Sequence, residues 1–420
     1  MLRSFFPRPS LFFSSAVAWT VLAFIIWYLI PGLEDLLSVG ELIVGPTPET
    51  APGERPPFFN AEKLWTYQYI IMWAVAFCWI WWYFERNIWY WWSVVGTTVL
   101  MLSTYFNVQI SVWLNDWYGR FYDLIQQALT SKDVAIGDYY LQLSTAAFVL
   151  VPYIIFLILI DFFSSHYLFR WRTAMNNFYM ENWRFVNHIE GASQRVQEDT
   201  RIFSTIMESL GLSFVRSVMT LIAFLPLLHS LSERVETYPL FGEVPDGLVF
   251  LAILSALFGT VLLALVGYKL PGLEFENQKV EAAYRKELVY GEDADERADP
   301  VTVTQLFGNL RRFYFRYFMH YLYFNVARYA YLQGSVFIPF FALGPTIVAG
   351  AITFGVFQQI MNAFNQVENS FQFLANSWTR IVELMSVFKR LKAFELNITH
   401  EPRNVSKTMI GGAEVPGPGE

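Results

Sequence analysis

Leu248-Val249-Phe250-Leu251-Ala252-Ile253-Leu254-Ser255-Ala256-Leu257-Phe258-Gly259-Thr260-Val261-Leu262-Leu263-Ala264-Leu265-Val266-Gly267-Tyr268-Lys269 decides the fold class, and Leu270-Pro271-Gly272-Leu273-Glu274-Phe275-Glu276 follows it directly. An uncharged apolar run of about 20 residues forms a helix long enough to cross the hydrocarbon layer of a bilayer. Here the sequence then continues as a polar, acid-bearing helix into water, which points to a transporter rather than an anchor. Composition extends that reading to the whole chain. Its 420 residues are 55% hydrophobic, 19% aromatic and only 15% charged, the balance of a chain whose solvent is largely lipid. The net charge of −7 excludes a general nucleic-acid binder and gives a screened, long-range attraction for cationic solutes. The single cysteine, Cys78, lies in the apolar run Tyr69–Trp82, so it forms no intrachain disulfide and reads as a small buried apolar residue.

Hydropathy places eight spans, near Leu11–Ile30, Tyr69–Phe84, Ser93–Leu114, Leu141–Phe163, Gly211–Leu228, Leu248–Lys269, Tyr321–Phe341 and Gly344–Phe364. The first follows Arg3 and Arg8 as a signal sequence would, but it is too long for that and ends in Trp27-Tyr28 without a small-residue cleavage motif. It reads as an uncleaved first helix. Lys and Arg are retained on the cytoplasmic side of a membrane. With the N-terminus inside, the cytoplasmic segments hold 22 of the 29 Lys+Arg, while the outer loops 31–68, 115–140 and 229–247 hold Arg55, Lys63, Arg120, Lys132 and Arg234. Those loops also carry acids, among them Glu34, Asp35, Glu41, Asp116, Asp123, Glu233 and Asp246. Both termini are therefore expected in the cytoplasm. Clusters such as Trp79–Tyr83 and Trp89–Trp92 sit at span ends, where amphipathic rings prefer the headgroup layer. Residues 1–68 read as the N-terminal membrane helix with its Pro/Gly-rich outer loop, 69–400 as the transport domain and 401–420 as a disordered cytoplasmic tail.

Two polar segments carry the chemistry. In Ser164–Leu210 the core reads His188-Ile189-Glu190-Gly191-Ala192-Ser193-Gln194-Arg195-Val196-Gln197-Glu198-Asp199-Thr200. On a surface helix, Arg195 and Asp199 at i,i+4 would form an ion pair worth a few tenths of a kcal/mol. In Pro271–Arg316, Glu274, Glu281 and Glu292 fall within about 20° of one stripe of a continuous helix, with Glu276 and Glu287 on a second stripe on roughly the opposite face. Within or near the spans lie Asp161, Glu208, Arg216, Arg328, Glu368 and Glu383. Charges at bilayer depth cost about 2.5 kcal/mol or more and so face a partner or a wet cavity. Glu208, at the start of the fifth span and close to one face with Arg216, is the leading proton-carrier candidate, because partial desolvation favours the protonated form of a carboxylate. No Gly-Lys dipeptide occurs, so no Walker A loop can cradle a nucleotide phosphate. The chain must run on an ion gradient or borrow an ATPase.

The run Gly191–Thr200, between a descending and an ascending helix, resembles the first intracellular loop of ABC exporter membrane domains, in particular the peroxisomal half-transporter pattern Asn-x-x-Gln-Arg-x-x-Glu-Asp, with Gln194-Arg195 and Glu198-Asp199 matching and the leading Asn absent. Over nearly its whole length the chain is similar to the SbmA/BacA family of bacterial inner-membrane peptide transporters, and within it to the BacA type. The matching blocks include Ser4-Phe5-Phe6-Pro7, Phe121-Tyr122-Asp123-Leu124-Ile125-Gln126, Phe169-Arg170-Trp171-Arg172, Lys269–Phe275, Val280–Asp293 and Asn376-Ser377-Trp378-Thr379.

The resemblance implies an all-α polytopic membrane protein with an ABC-exporter-like transmembrane fold, cytoplasmic helical extensions and no nucleotide-binding domains, assembled as a helix-exchanged homodimer around a large cavity. It implies proton-driven import of peptides and modified peptides, including proline-rich antimicrobial peptides, microcins, bleomycin-like glycopeptides and defensin-like host peptides, with no cofactor beyond the coupling proton. Proton coupling would fall to Glu208, Glu274, Glu276, Glu281, Glu287 and Glu292, the cavity or its gating to Tyr290 and Arg216, and the coupling-loop-like contact to Gln194, Arg195, Glu198 and Asp199. Two other readings stand beside it. One is an ATP-driven system in which Gln194–Asp199 docks a separate ATPase subunit. The other is an envelope lipid-handling protein or membrane enzyme, for which His166, His188, His229, His320 and His400 offer no metal-ligand spacing.

Overall fold

The computed structural model describes residues 1–30, 32–33, 37–40, 61–131, 134–189, 191–235, 237–239, 242, 244–293 and 298–400. The outer-loop acids Glu34, Asp35 and Glu41, the Pro/Gly-rich loop and the expected tail lie outside them. Helix α1 (Pro9–Leu29) is followed by α2 (Ala61–Phe84). A π-helical turn, Trp91–Gly96, leads into α3 (Thr97–Thr130). The longest helix, α4 (Ile136–Glu181), is followed by a second π-helical turn at Arg195–Asp199 and then α5 (Thr200–Ser232). Helices α6 (Gly247–Gly267) and α7 (Leu270–Asp293) are separated only by Tyr268 and Lys269. The chain closes with α8 (Pro300–Ser335), α9 (Phe337–Val348), α10 (Phe354–Phe371) and α11 (Phe373–His400). Among the described residues there is no strand, only an isolated bridge between Tyr238 and Gly242.

Among the described residues, six helical runs are long and apolar enough to cross a membrane: Pro9–Leu29, Lys63–Phe84, Ile136–Glu181, Ala192–Ser232, Gly247–Gly267 and Pro300–Val348. The other two expected spans need correction. Ser93–Leu114 does not end at Leu114 but runs on through Asp116, Arg120 and Asp123 to Thr130, so most of the expected outer loop 115–140 is helix, with Arg120 and Asp116 paired along it at 3.2 Å. Gly344–Phe364 is not one helix. It breaks between Val348 and Phe354, where Gly350 takes φ 69°, a left-handed conformation open to glycine, and Thr353 restarts the chain by accepting a hydrogen bond from the Val356 amide at 3.2 Å.

Helix α6 shows how a membrane sequence sorts its faces. It buries Ala252, Ser255, Ala256 and Gly259 and exposes Phe250, Leu254, Leu257, Phe258 and Leu265. Large apolar side chains can face lipid at no cost, so small residues are placed where helices approach closely. The close approach is sharpest at Gly259, where an added Cβ would lie 2.0 Å from the Tyr331 ring. Gly259→Ala is expected to push that ring out of its seat at about 1–3 kcal/mol, read as a lower melting temperature of the detergent-purified protein.

Helix α10 sits at the centre of the bundle, packed on α3, α5 and α6. Its N-terminal amides are capped from α3: Gly355 N donates to Asp123 Oδ1 at 2.8 Å and Phe354 N to Gln126 Oε1 at 2.7 Å. The block Phe121–Gln126 is therefore a joint between α3 and α10 that satisfies two otherwise orphaned helix donors. At the other end of the bundle, Phe5 and Phe6 are buried, Phe5 stacking on Trp171 with ring centroids 5.6 Å apart, which locks the residues before α1 against α4.

Candidate functional site

The acids of α7 are organised by α8. The α6–α7 break falls one residue before the sequence Leu270-Pro271, where proline is tolerated because first-turn amides have no helical partner. From there α7 is continuous through Gly291, so Glu274, Glu281 and Glu292 share one helix, as the spacing predicts. Helix α8 begins at a capped turn: Asp299 accepts from the Thr302 amide at 3.1 Å, and the Thr302 bonds hold its carboxyl below the ordinary aspartate range. That cap persists above the depressed value and is lost only as pH falls through it.

Antiparallel to α7, α8 presents two tyrosines in register. Tyr317 Oη donates to Glu274 Oε2 at 2.8 Å and Tyr314 Oη donates to Glu281 Oε1 at 2.8 Å. Glu276, expected on the opposite stripe, also reaches α8 through an ion pair with Arg316. Both partners are more than half exposed, so that pair contributes little. Glu287 accepts from the Ala298 amide at 3.2 Å and closes the hairpin. Glu292 is exposed near the end of α7, and the Tyr290 ring is half exposed with the Lys286 ammonium 5.4 Å from its centroid. Tyr314→Phe and Tyr317→Phe are each expected to cost the hairpin about 1 kcal/mol, seen as faster hydrogen exchange of α7 amides.

Glu208 lies on α5 and is held from α4: Ser164 Oγ donates to its Oε1 at 2.5 Å. It is partly buried, and among the described residues no Lys or Arg lies within ion-pair distance of it. Arg216, two turns further along α5, is exposed and does not pair with it. Glu208 and the hairpin acids bond to different helices, so within one chain they do not form a single network.

The segment Gln194–Asp199 behaves differently from a surface helix. Asp199 is 2% exposed and is gripped by two arginines. Arg195 Nη1 donates to its Oδ2 at 2.6 Å, while Arg390 on α11 donates from Nη2 to Oδ1 at 2.8 Å and from Nε to Oδ2 at 3.1 Å. The fork geometry of guanidinium suits this two-oxygen grip. Gln194 and Glu198, joined at 3.0 Å, remain toward the surface. The motif is thus split into an inward latch, Arg195 and Asp199, and an outward pair, Gln194 and Glu198.

The SbmA/BacA-like family matches residues 86–399, which hold every residue of this site. The chain belongs to the SbmA/BacA-like family. It is also 24% identical over 341 residues to the inner membrane ABC transporter ATP-binding protein YddA of Escherichia coli, covering 77% of this chain and 60% of that protein. The ABC transporter D family member 2, chloroplastic, of Arabidopsis thaliana is 25% identical over 268 residues, covering 57% of this chain and 35% of that protein. An uncharacterized ABC transporter ATP-binding protein of Synechocystis sp. is 24% identical over 240 residues, 55% of this chain and 34% of that protein. The chain spans about a third to three fifths of the length of these relatives.

The six membrane-length apolar runs and the helical architecture of the described residues are consistent with a multi-pass membrane protein and fit the ABC-transporter-type proteins that the chain resembles. Three parts of the site escape sequence reasoning. Arg390 is 191 positions from Asp199, and nothing local marks it as the partner. Tyr314 and Tyr317 carry a weak signal, an i,i+3 pair of hydroxyls on the helix that must face α7. Asp123 and Gln126 also stand at i,i+3 and together present two acceptors to one helix end.

Proposed function

We propose that this chain imports peptides and modified peptides across the bacterial inner membrane, driven by the proton gradient. The observation that carries the reading is Glu208, a partly buried carboxylate between two membrane-length helices with a serine hydroxyl beside it and, among the described residues, no cation within ion-pair distance. A group so placed can be loaded and unloaded with a proton at little structural cost, since a serine hydroxyl can donate to a carboxylate or accept from a carboxylic acid. The chain works as a homodimer with both termini in the cytoplasm, and the second copy completes a wet cavity in which Glu208 and the hairpin acids Glu274, Glu276, Glu281, Glu287 and Glu292 face the cargo, gated by Tyr290 and Arg216. Carboxylates in such a cavity attract cationic peptides of many sequences, because charge and water rather than a shaped pocket select the cargo. Protonation from the outer side neutralises the acids and biases one opening of the cavity; release inside restores repulsion and biases the other. Each proton moving down 100 mV supplies about 2.3 kcal/mol to that two-state equilibrium.

The relatives' identity as ABC transporter proteins favours a second reading, in which Gln194 and Glu198, the outward half of the Gln194–Asp199 segment, dock a separate ATPase. No Gly-Lys dipeptide occurs in this sequence, so in that reading the residues that hydrolyse ATP lie outside it. The purified chain reconstituted alone in liposomes separates the two. Uptake of a fluorescent proline-rich peptide that follows an imposed pH gradient and is abolished by protonophore, without ATP, supports proton-driven import. Uptake that begins only when an ATPase and ATP are added overturns it.

A further inference from the structure

Outside the sites above, one acid is more deeply enclosed than Glu208. Glu368 on α10 is 5% exposed, and its neighbours Ser255, Tyr331 and Gln372 are also buried. Ser255 Oγ of α6 donates to Glu368 Oε1 at 2.6 Å, and Tyr331 Oη of α8 lies 2.9 Å from the same oxygen. Tyr331 Oη is also 3.1 Å from the Ser255 carbonyl, and Gln372 Nε2 donates to it. The cluster therefore ties α6 and α8 to α10 deep in the bundle, and Gly259 leaves the room that lets the Tyr331 ring reach it.

The count of hydrogens in this cluster is the informative feature. Tyr331 carries one hydroxyl hydrogen and faces two acceptors, the Ser255 carbonyl and Glu368 Oε1. One added proton on the Glu368 carboxyl resolves the shortage. Tyr331 then donates to the Ser255 carbonyl while the carboxyl donates to Tyr331, whose oxygen also accepts from Gln372. Without that proton, one of the two Tyr331 contacts lacks a hydrogen. Charged and titratable groups on the surrounding helices do not offer another balance. Helix α6 carries none. Arg328 and Tyr329 of α8, Tyr105, Asp116 and Arg120 of α3, Glu208 and Arg216 of α5, and Arg380 and Glu383 of α11 make no hydrogen bond or ion pair with Glu368 among the described residues. Tyr331 is the titratable group in contact with it.

We propose that Glu368 is a proton-binding site of the transport cycle, separate from Glu208, and that its occupancy sets how tightly α6 and α8 are held to α10. The inference rests on the proton-driven reading and adds a second proton locus to it. When the carboxyl holds the proton all the bonds of the cluster are made and the three helices are clasped. When it releases the proton, Tyr331 has one hydrogen for two acceptors, one of its two bonds is lost and the clasp loosens, a step that net gradient-driven uptake needs and peptide exchange at equal pH does not.

The test uses the full chain in liposomes with a fluorescent proline-rich peptide and two readouts: uptake driven by a pH gradient, and peptide exchange with equal pH on both sides. Glu368→Gln keeps hydrogen-bonding capacity but cannot titrate, whereas Glu368→Asp still can. The expected result is that E368Q loses gradient-driven uptake by about tenfold or more while exchange stays near wild type, and that E368D recovers part of the uptake. If E368Q matches wild type in gradient-driven uptake, or loses exchange together with it, Glu368 is structural and the inference is overturned. Wild-type uptake that ignores the pH gradient instead overturns the proton-driven reading, and this inference with it.

Discussion

Glu208→Gln is expected to reduce pH-gradient-driven peptide uptake by about 100-fold, with folding and assembly intact, because the amide fills the same space and accepts the same Ser164 hydrogen bond but cannot carry a proton. Ser164→Ala provides the contrast. It removes the hydroxyl that steadies the carboxylate without removing the proton carrier, so it is expected to shift the pH dependence of uptake and leave its maximum within a few-fold of wild type. Uptake by the two variants across a range of outer pH values checks both outcomes. Loss of the protein from the membrane in the Gln variant would instead give Glu208 a packing role.

Asp199→Ala is expected to be the most destabilising single change in the chain. Its carboxylate is buried and meets two guanidiniums, so truncation leaves Arg390 and Arg195 without their counter-charge, at a cost of about 3–5 kcal/mol. The start of α5 and the middle of α11 come apart as a result. Arg390→Lys keeps the charge but cannot reproduce the two parallel bonds, and is expected to cost less. Thermal melting of the detergent-purified variants checks the order, with Asp199→Ala below Arg390→Lys and both below wild type. Equal stability of all three would show that the latch contributes nothing.

The membrane class and most of the helices were legible in the sequence, because a run such as Leu248–Lys269 has no soluble alternative. The failures have specific physical causes. Around Gly350 the flanking residues Ile347, Val348, Ala349, Ala351 and Ile352 keep hydropathy high, so an average over a window passes straight through a turn that depends on one glycine's φ. In α3 the opposite happened: Asp116, Arg120 and Asp123 lower hydropathy and suggest a loop, whereas Asp116 and Arg120 pair along the helix and Asp123 caps α10. The stripe of Glu274 and Glu281 could be read from spacing alone, since a 3.6-residue period is a local property. What could not be read was what each acid meets. Asp199 reads as half of a minor surface pair until Arg390 arrives from 191 positions away, and Glu368 reads as an acid near a span until three helices close over it.

The central claim is that protons move with peptide through this chain alone. It is tested most directly by trapping a pH-sensitive dye inside liposomes containing only the purified protein, imposing an inside-negative potential, and adding unlabelled proline-rich peptide outside. The account predicts that peptide addition acidifies the interior without ATP, and that Glu208→Gln abolishes the acidification. Peptide entry with no change of internal pH would contradict it.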